Sequence, residues 1–222
     1  MATPLDLQEQ EQLDSIKSFW KQYGNLITWS LVLVLGAFAA WNGWNWYQRD
    51  QGIKASAMFD ELDRSLQAGD AERSAKIFSD LQARYPAAQW TAQGGLMLAR
   101  LQIEKGQADA ATQVLRWVVD KSKDEGLRAL AALRLAGIEL DAKRWDEALK
   151  VLESANVKGY EALVADRRGD ILLAQGKPQQ AAEALLSAWK GFPETVEYRR
   201  VVEAKLYTLG VSPASAASGV QK

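Results

Sequence analysis

From Gln22 to Gln48 the chain carries no charged residue, and this stretch constrains the fold more than any other. Its apolar centre runs from Leu26 through Trp29, Leu31, Val32, Leu33, Val34, Leu35 and Phe38 to Trp41, with Trp44 and Trp46 beyond. As a helix, residues 26 to 46 rise about 31 Å, which matches a hydrocarbon thickness of roughly 30 Å. Trp20, Tyr23 and Trp29 stand at one end and Trp41, Trp44, Trp46 and Tyr47 at the other, where aromatic belts belong. The segment reads as a membrane anchor.

Two other readings compete. Ala37-Phe38-Ala39 has the small-x-small form of a signal-peptide cleavage site. Against it, the preceding tail sets Asp6, Glu9, Glu11 and Asp14 against Lys17 and Lys21, unlike a basic leader, and the apolar run continues past Ala39. The other reading, a buried core helix, seldom stays uncharged for so long. Lys17 and Lys21 before the span balance Arg49 and Lys54 after it, so charge leaves the orientation undecided. Leu13, Ile16, Trp20 and Tyr23 recur at helical spacing, so the end of the tail is either an amphipathic surface helix or an extension of the span.

Composition then removes most chemistry. With His 0 and Cys 0, the commonest general base, the thiol nucleophile and the usual zinc ligands are missing, so no catalytic residue, metal ligand or cofactor site is assigned. Lys and Arg number 27 and Asp and Glu 28, which leaves no basic excess for nucleic acid.

Beyond Tyr47 the chain reads as helix upon helix, and self-comparison reveals a period. Ser74-Ala-Lys-Ile-Phe78, Ala111-Thr-Gln-Val-Leu115, Ala148-Leu-Lys-Val-Leu152 and Ala181-Ala-Glu-Ala-Leu185 superimpose at spacings of 37, 37 and 33 residues. Twelve residues earlier stand Leu62, Ala99, Ala136 and Gly169, where paired helices approach closely; five earlier stand Gly69, Gly106, Lys143 and Gly176, at the expected turns. Twelve residues later stand Pro86, Lys123, Tyr160 and Pro193, two of them helix-stopping prolines. Ala99, Ala111, Ala136, Ala148, Gly169 and Ala181 are therefore expected in the helix-pair contacts.

This pattern resembles the tetratricopeptide repeat over about residues 55 to 195, with residues 196 to 209 as a capping helix. The first-helix aromatic is absent, and an irregular helical bundle is the competing architecture. The expected fold is all-α: one transmembrane helix, then a solenoid of about four helix pairs plus a cap. Its parts are a tail over 1–24, the span over 25–47, the repeat domain over 48–210 and a disordered tail over 211–222.

Trp20-Lys-Gln-Tyr-Gly-Asn, the uncleaved anchor, Trp44-Asn-Trp-Tyr, Arg84-Tyr-Pro and Gly169-Asp-Ile-Leu-Leu-Ala-Gln-Gly-Lys177 together resemble the YfgM family, ancillary subunits of the SecYEG translocon in Gram-negative bacteria. The resemblance implies a cytoplasmic N-terminus, an inner-membrane anchor and a periplasmic repeat domain. It also implies chaperone-like assistance to newly translocated proteins, with SecYEG and the membrane chaperone PpiD as partners. A scaffold for another envelope machine, such as a secretion, pilus or division complex, is the alternative.

In such a solenoid the first helix of each pair lines the inner face. The register places Phe59, Asp63 and Leu66 there, then Leu96, Arg100 and Ile103, then Leu130, Leu133 and Leu140, then Leu163, Asp166, Asp170 and Leu173. A largely apolar groove rimmed by charge suits a non-native polypeptide or an amphipathic helix. Leu at helical spacing fits a core equally well, and the capping helix is a rival occupant in cis. Glu139 with Asp141, and Asp166 with Asp170, are read as solvated helical surface, and Gly94-Gly95 as the start of a helix.

Overall fold

A computed structural model describes residues 7–213. Among the described residues nine α-helices follow one another: α1 (Leu7–Gln67), α2 (Ala71–Arg84), α3 (Gln89–Glu104), α4 (Ala108–Lys121), α5 (Glu125–Asp141), α6 (Trp145–Leu152), α7 (Glu161–Ala174), α8 (Pro178–Gly191) and α9 (Tyr198–Thr208). A 3-10 turn, Glu153–Ala155, follows α6, and there is no strand among the described residues. The chain divides into two compact units, one ending at Gln51 and the other beginning at Gly52.

The first unit is helix throughout its described length. Residues 7–24, expected as a tail, are already part of α1, and residues 1–6 lie outside the described residues. Among the described residues, α1 is the one helix long and apolar enough to cross a membrane, and only 6% of its most apolar window is buried. α1 also runs past Tyr47 into the second unit, because no proline interrupts the helix-forming residues from Gln48 to Gln67.

The second unit is built from one turn used repeatedly. Gly69 N–H donates to Leu66 O at 3.0 Å and Asp70 N–H to Ser65 O at 3.1 Å. The same two bonds recur from Gly106 and Gln107, from Lys143 and Arg144, and from Gly176 and Lys177. These paired bonds satisfy helix-end carbonyls and demand a left-handed residue, and φ is +68°, +74°, +60° and +72° at the four positions. Lys143 adopts that conformation without glycine's freedom. A fifth turn of the same form closes α9 at Gly210, whose N–H donates to Tyr207 O while Val211 N–H donates to Leu206 O.

The core is apolar and follows the pairing. Leu62 of α1, Ile77, Phe78 and Leu81 of α2 and Leu98 of α3 form one cluster, while Ala99, Ala111, Leu115, Ala136 and Ala148 belong to the central one. Gly94 and Gly95 lie within α3, not at its start, because the neighbouring helices come too close for side chains. A Cβ at Gly94 would stand 2.6 Å from Leu62, and one at Gly95 would stand 2.7 Å from Val118. At the far end, Val202 and Leu206 of α9 join Leu185 and Ala188 of α8, and Val211 packs against them. The disordered tail expected from Val211 therefore begins inside the fold, and its remainder, 214–222, lies outside the described residues.

Candidate functional site

The inner-face residues fall into rows counted back from each turn. Ten residues before it stand Phe59, Leu96, Leu133 and Asp166. Phe59, Leu96 and Leu133 are buried at 9%, 4% and 8% exposure. Leu96 and Leu133 belong to the central core, and Phe59 stacks on the ring of Trp90 at 5.0 Å. Three residues before the turn stand Leu66, Ile103, Leu140, Leu173 and, by the same count, Tyr207. Leu66 and Leu140 are half-buried, whereas Ile103, Leu173 and Tyr207 are 43%, 43% and 55% exposed. Leu130 and Leu163 are half-buried and pack against the central core.

The open part of the face is thus an apolar row at the turn edge. Sequence reasoning placed Tyr207 only within a cap, although Gly210 three residues later marks it as the fifth member of the row. Trp90, 38% exposed, was also missed, since its stacking on Phe59 is a contact between helices.

Charge organises the rest. Arg100 is exposed and its Nε donates to Glu104 at 2.9 Å. Arg134 sits half-buried with Nη1 donating to Leu96 O at 2.9 Å, and no carboxylate pairs with it among the described residues. Burial first, and then Arg100 nearby, hold its pKa below the usual arginine value. Asp63 accepts a bond from Gln67 Nε2 at 2.7 Å.

At the α7 end α9 occupies the face in cis. Lys205 Nζ donates to Asp166 at 2.8 Å and to Asp170 at 2.7 Å, and Tyr198 donates its hydroxyl to Asp166 at 2.8 Å. Burial raises the Tyr198 pKa, and the bond to Asp166 adds to this. Burial alone would lower the Lys205 pKa, but the bonds to the two aspartates outweigh it and the net shift is upward. These aspartates are therefore not solvated surface. Nor is Glu139, 1% exposed and paired with Arg144 and Arg116.

The six small residues Ala99, Ala111, Ala136, Ala148, Gly169 and Ala181 are all buried. The anchor residues face outward in the first unit. Leu26, Trp29, Leu33, Val34, Phe38, Trp41 and Trp46 are each at least 63% exposed, and Leu31, Val32, Leu35 and Trp44 at least 52%. No group of three or more metal-ligating side chains gathers among the described residues. What the arrangement offers is a partly open apolar face and an apolar helix.

Comparison with known proteins matches this architecture. The tetratricopeptide repeat-like domain family matches residues 17–211. An ancillary SecYEG translocon subunit of Neisseria gonorrhoeae is 32% identical over 91% of this chain and 98% of its own. The protein of the same description from Escherichia coli is 30% identical over 82% of this chain and 85% of its own. Among solved structures, MamA from Desulfovibrio magneticus RS-1 aligns with a TM-score of 0.50 at 19% identity, covering 72% of this chain and 91% of that one. A kinesin light chain of Podosopora anserina with nearly identical TPR-like repeats aligns at 0.51 and 18%, covering 75% and 87%. At such identities these two structures speak for the repeat fold alone.

Proposed function

We propose, from the premise that this chain belongs to the ancillary SecYEG translocon subunit family with a tetratricopeptide repeat-like domain, that it works beside the translocon as a membrane-tethered protein-binding subunit. α1 holds it in the cell inner membrane, with the N-terminus in the cytoplasm and the repeat domain in the periplasm. The repeat domain gives chaperone-like assistance to newly translocated periplasmic and envelope proteins, alongside a PpiD-like membrane chaperone. No catalytic step enters this reading. The observation that carries it is the relative's description over 98% of its length, anchor and repeats together. The exposed apolar row supports the client-binding part, because a non-native segment is recognised by apolar contacts at regular intervals rather than by one charge.

Leu96 and Leu133 are unsuitable for testing client contact, since replacing buried core residues unfolds the domain. The exposed members of the row are suitable. Ile103→Ser, Leu173→Ser and Tyr207→Ser together should reduce crosslinking of the full chain to nascent periplasmic proteins in intact membranes, while crosslinking to SecYEG and helical content stay unchanged. Exchange of residues 26–46 for an unrelated apolar span keeps the chain in the membrane but replaces the exposed side chains of α1, so it should lower the SecYEG yield instead. If both yields fall together in either variant, the division of labour is wrong. Protease added to spheroplasts should digest the repeat domain, and its protection would reverse the orientation.

A further inference from the structure

The second helices of the pairs are equal in length with one exception. α2, α4 and α8 each run 14 residues from the same point after the turn, whereas α6 runs 8. The missing six residues correspond to about 9 Å of helix. In their place the chain makes the 3-10 turn Glu153–Ala155 and an irregular link over 156–160 before α7.

That shortening leaves α7 partly bare. Eight residues before the turn, Leu98 of α3 is 0% exposed in a cluster with Ile77, Phe78 and Leu81 of the preceding second helix. Leu135 of α5 is 1% exposed in the cluster containing Leu115 and Val118. The corresponding residue of α7 is Arg168, and it is exposed. A groove of about 760 Å³ opens there between the end of α6 and the outer side of α8, over α7. Its apolar floor includes Leu152, Val164, Leu172 and Ala184, and its charged residues are Glu153, Glu161 and Glu183 against Arg168 alone.

The geometry points to a second docking groove, separate from the inner face, which takes a basic amphipathic helix from a partner protein. The slot stands beside the place where α2, α4 and α8 continue as helix, so a helical segment lies along it with its apolar side on the half-buried Ala165, Leu172 and Ala184. Three carboxylates against one guanidinium favour lysine or arginine on the flanks of that helix, and set the charge it must carry. The segment is contributed by another protein, since α8 and α9 are engaged with each other.

The absence of cysteine makes the test clean. Ser187 lines the groove and is exposed, so Ser187→Cys carries a bimane label on the full chain in zwitterionic nanodiscs. The probe is an amphipathic peptide of about 14 residues, four helical turns, built from Leu and Lys with one Trp to quench the label. Its partner has Glu for every Lys. The Lys peptide should quench saturably and bind at least tenfold more tightly than the Glu peptide. Glu153→Lys with Glu183→Lys should invert that preference without loss of helix. A label on Ser79→Cys of α2 should not be quenched by either peptide. Equal affinity of the two peptides, an unchanged preference in the double variant, or equal quenching at Ser79 and Ser187 would overturn the proposal.

Discussion

Where α3 meets α2, the contact consists of Leu98, Phe78, Ile77 and Leu81, with no charge among them; where α7 meets α9, Asp166 and Asp170 meet Lys205 and Tyr198. The first contact is a sum of many small gains, proportional to buried area and indifferent to pH. The second depends on single atoms and on their protonation, so it is orientationally strict but loses much of its value when one partner is removed. α9 is nevertheless attached to α8 by apolar residues as well, so its polar half adds direction to an existing contact.

The largest expected effect tests the apolar half. Leu98→Arg puts a cation into a fully buried site and should cost about 4 kcal/mol or more, enough to abolish a cooperative urea transition. Ala148→Trp, at a 0% exposed contact between paired helices, should cost about 1 to 3 kcal/mol by overpacking, and Ala111→Trp the same. An unchanged melting temperature in both would show that the pairs are not held by close packing. Lys205→Ala strands the buried Asp166 carboxylate and should cost about 1 to 2 kcal/mol, less than for a fully buried pair because Lys205 remains 28% exposed. Faster amide exchange should then be confined largely to α9.

The polar half should also respond to pH in one direction. Lys205 and Tyr198 both have raised pKa values in the fold, so their stabilisation is complete below the unfolded values of 10.5 and 10.0. It is lost as pH rises through the folded values. The difference in melting temperature between the parent and Lys205→Ala should therefore hold up to about pH 10 and shrink above it, whereas the cost of Ala148→Trp should not change. The smallest effect belongs to Arg168→Leu, expected within about 0.5 kcal/mol of the parent because that position lacks the helix end that covers Leu98. A large gain would mean that α7 is already covered there.

Much of this was legible from residue spacing. Gly69, Gly106, Lys143 and Gly176 mark the turns because a left-handed helix end is a local requirement, and even the lysine follows from register. Gly94 and Gly95 show where such reasoning stops, since their glycine character is imposed by Leu62 and Val118 on other helices. Asp166 and Asp170 look solvated because their cation comes from Lys205, 39 and 35 residues later. Leu96 and Ile103 carry the same apolar signal on α3, yet one is buried and the other open. Helical periodicity identifies the apolar side of α3, but only the neighbouring helices decide which part of that side remains exposed.

The fifth turn, at Gly210, has a consequence for assembly. A repeat array that ends on a completed turn presents a seat for one more unit, and a copy of the same chain that fitted the seat would begin a filament. The seat is spoiled by one residue. Seven positions before each of the other turns, Leu62, Ala99, Ala136 and Gly169 are uncharged and buried, but α9 carries Glu203, which accepts a hydrogen bond from Tyr207 at 3.0 Å. Stacking a further copy there would strip that carboxylate of water, so Glu203 disfavours growth from this turn. Glu203→Ala should remove the block, and concentration-dependent sedimentation of that variant, with the parent unchanged, is the measurement that checks it.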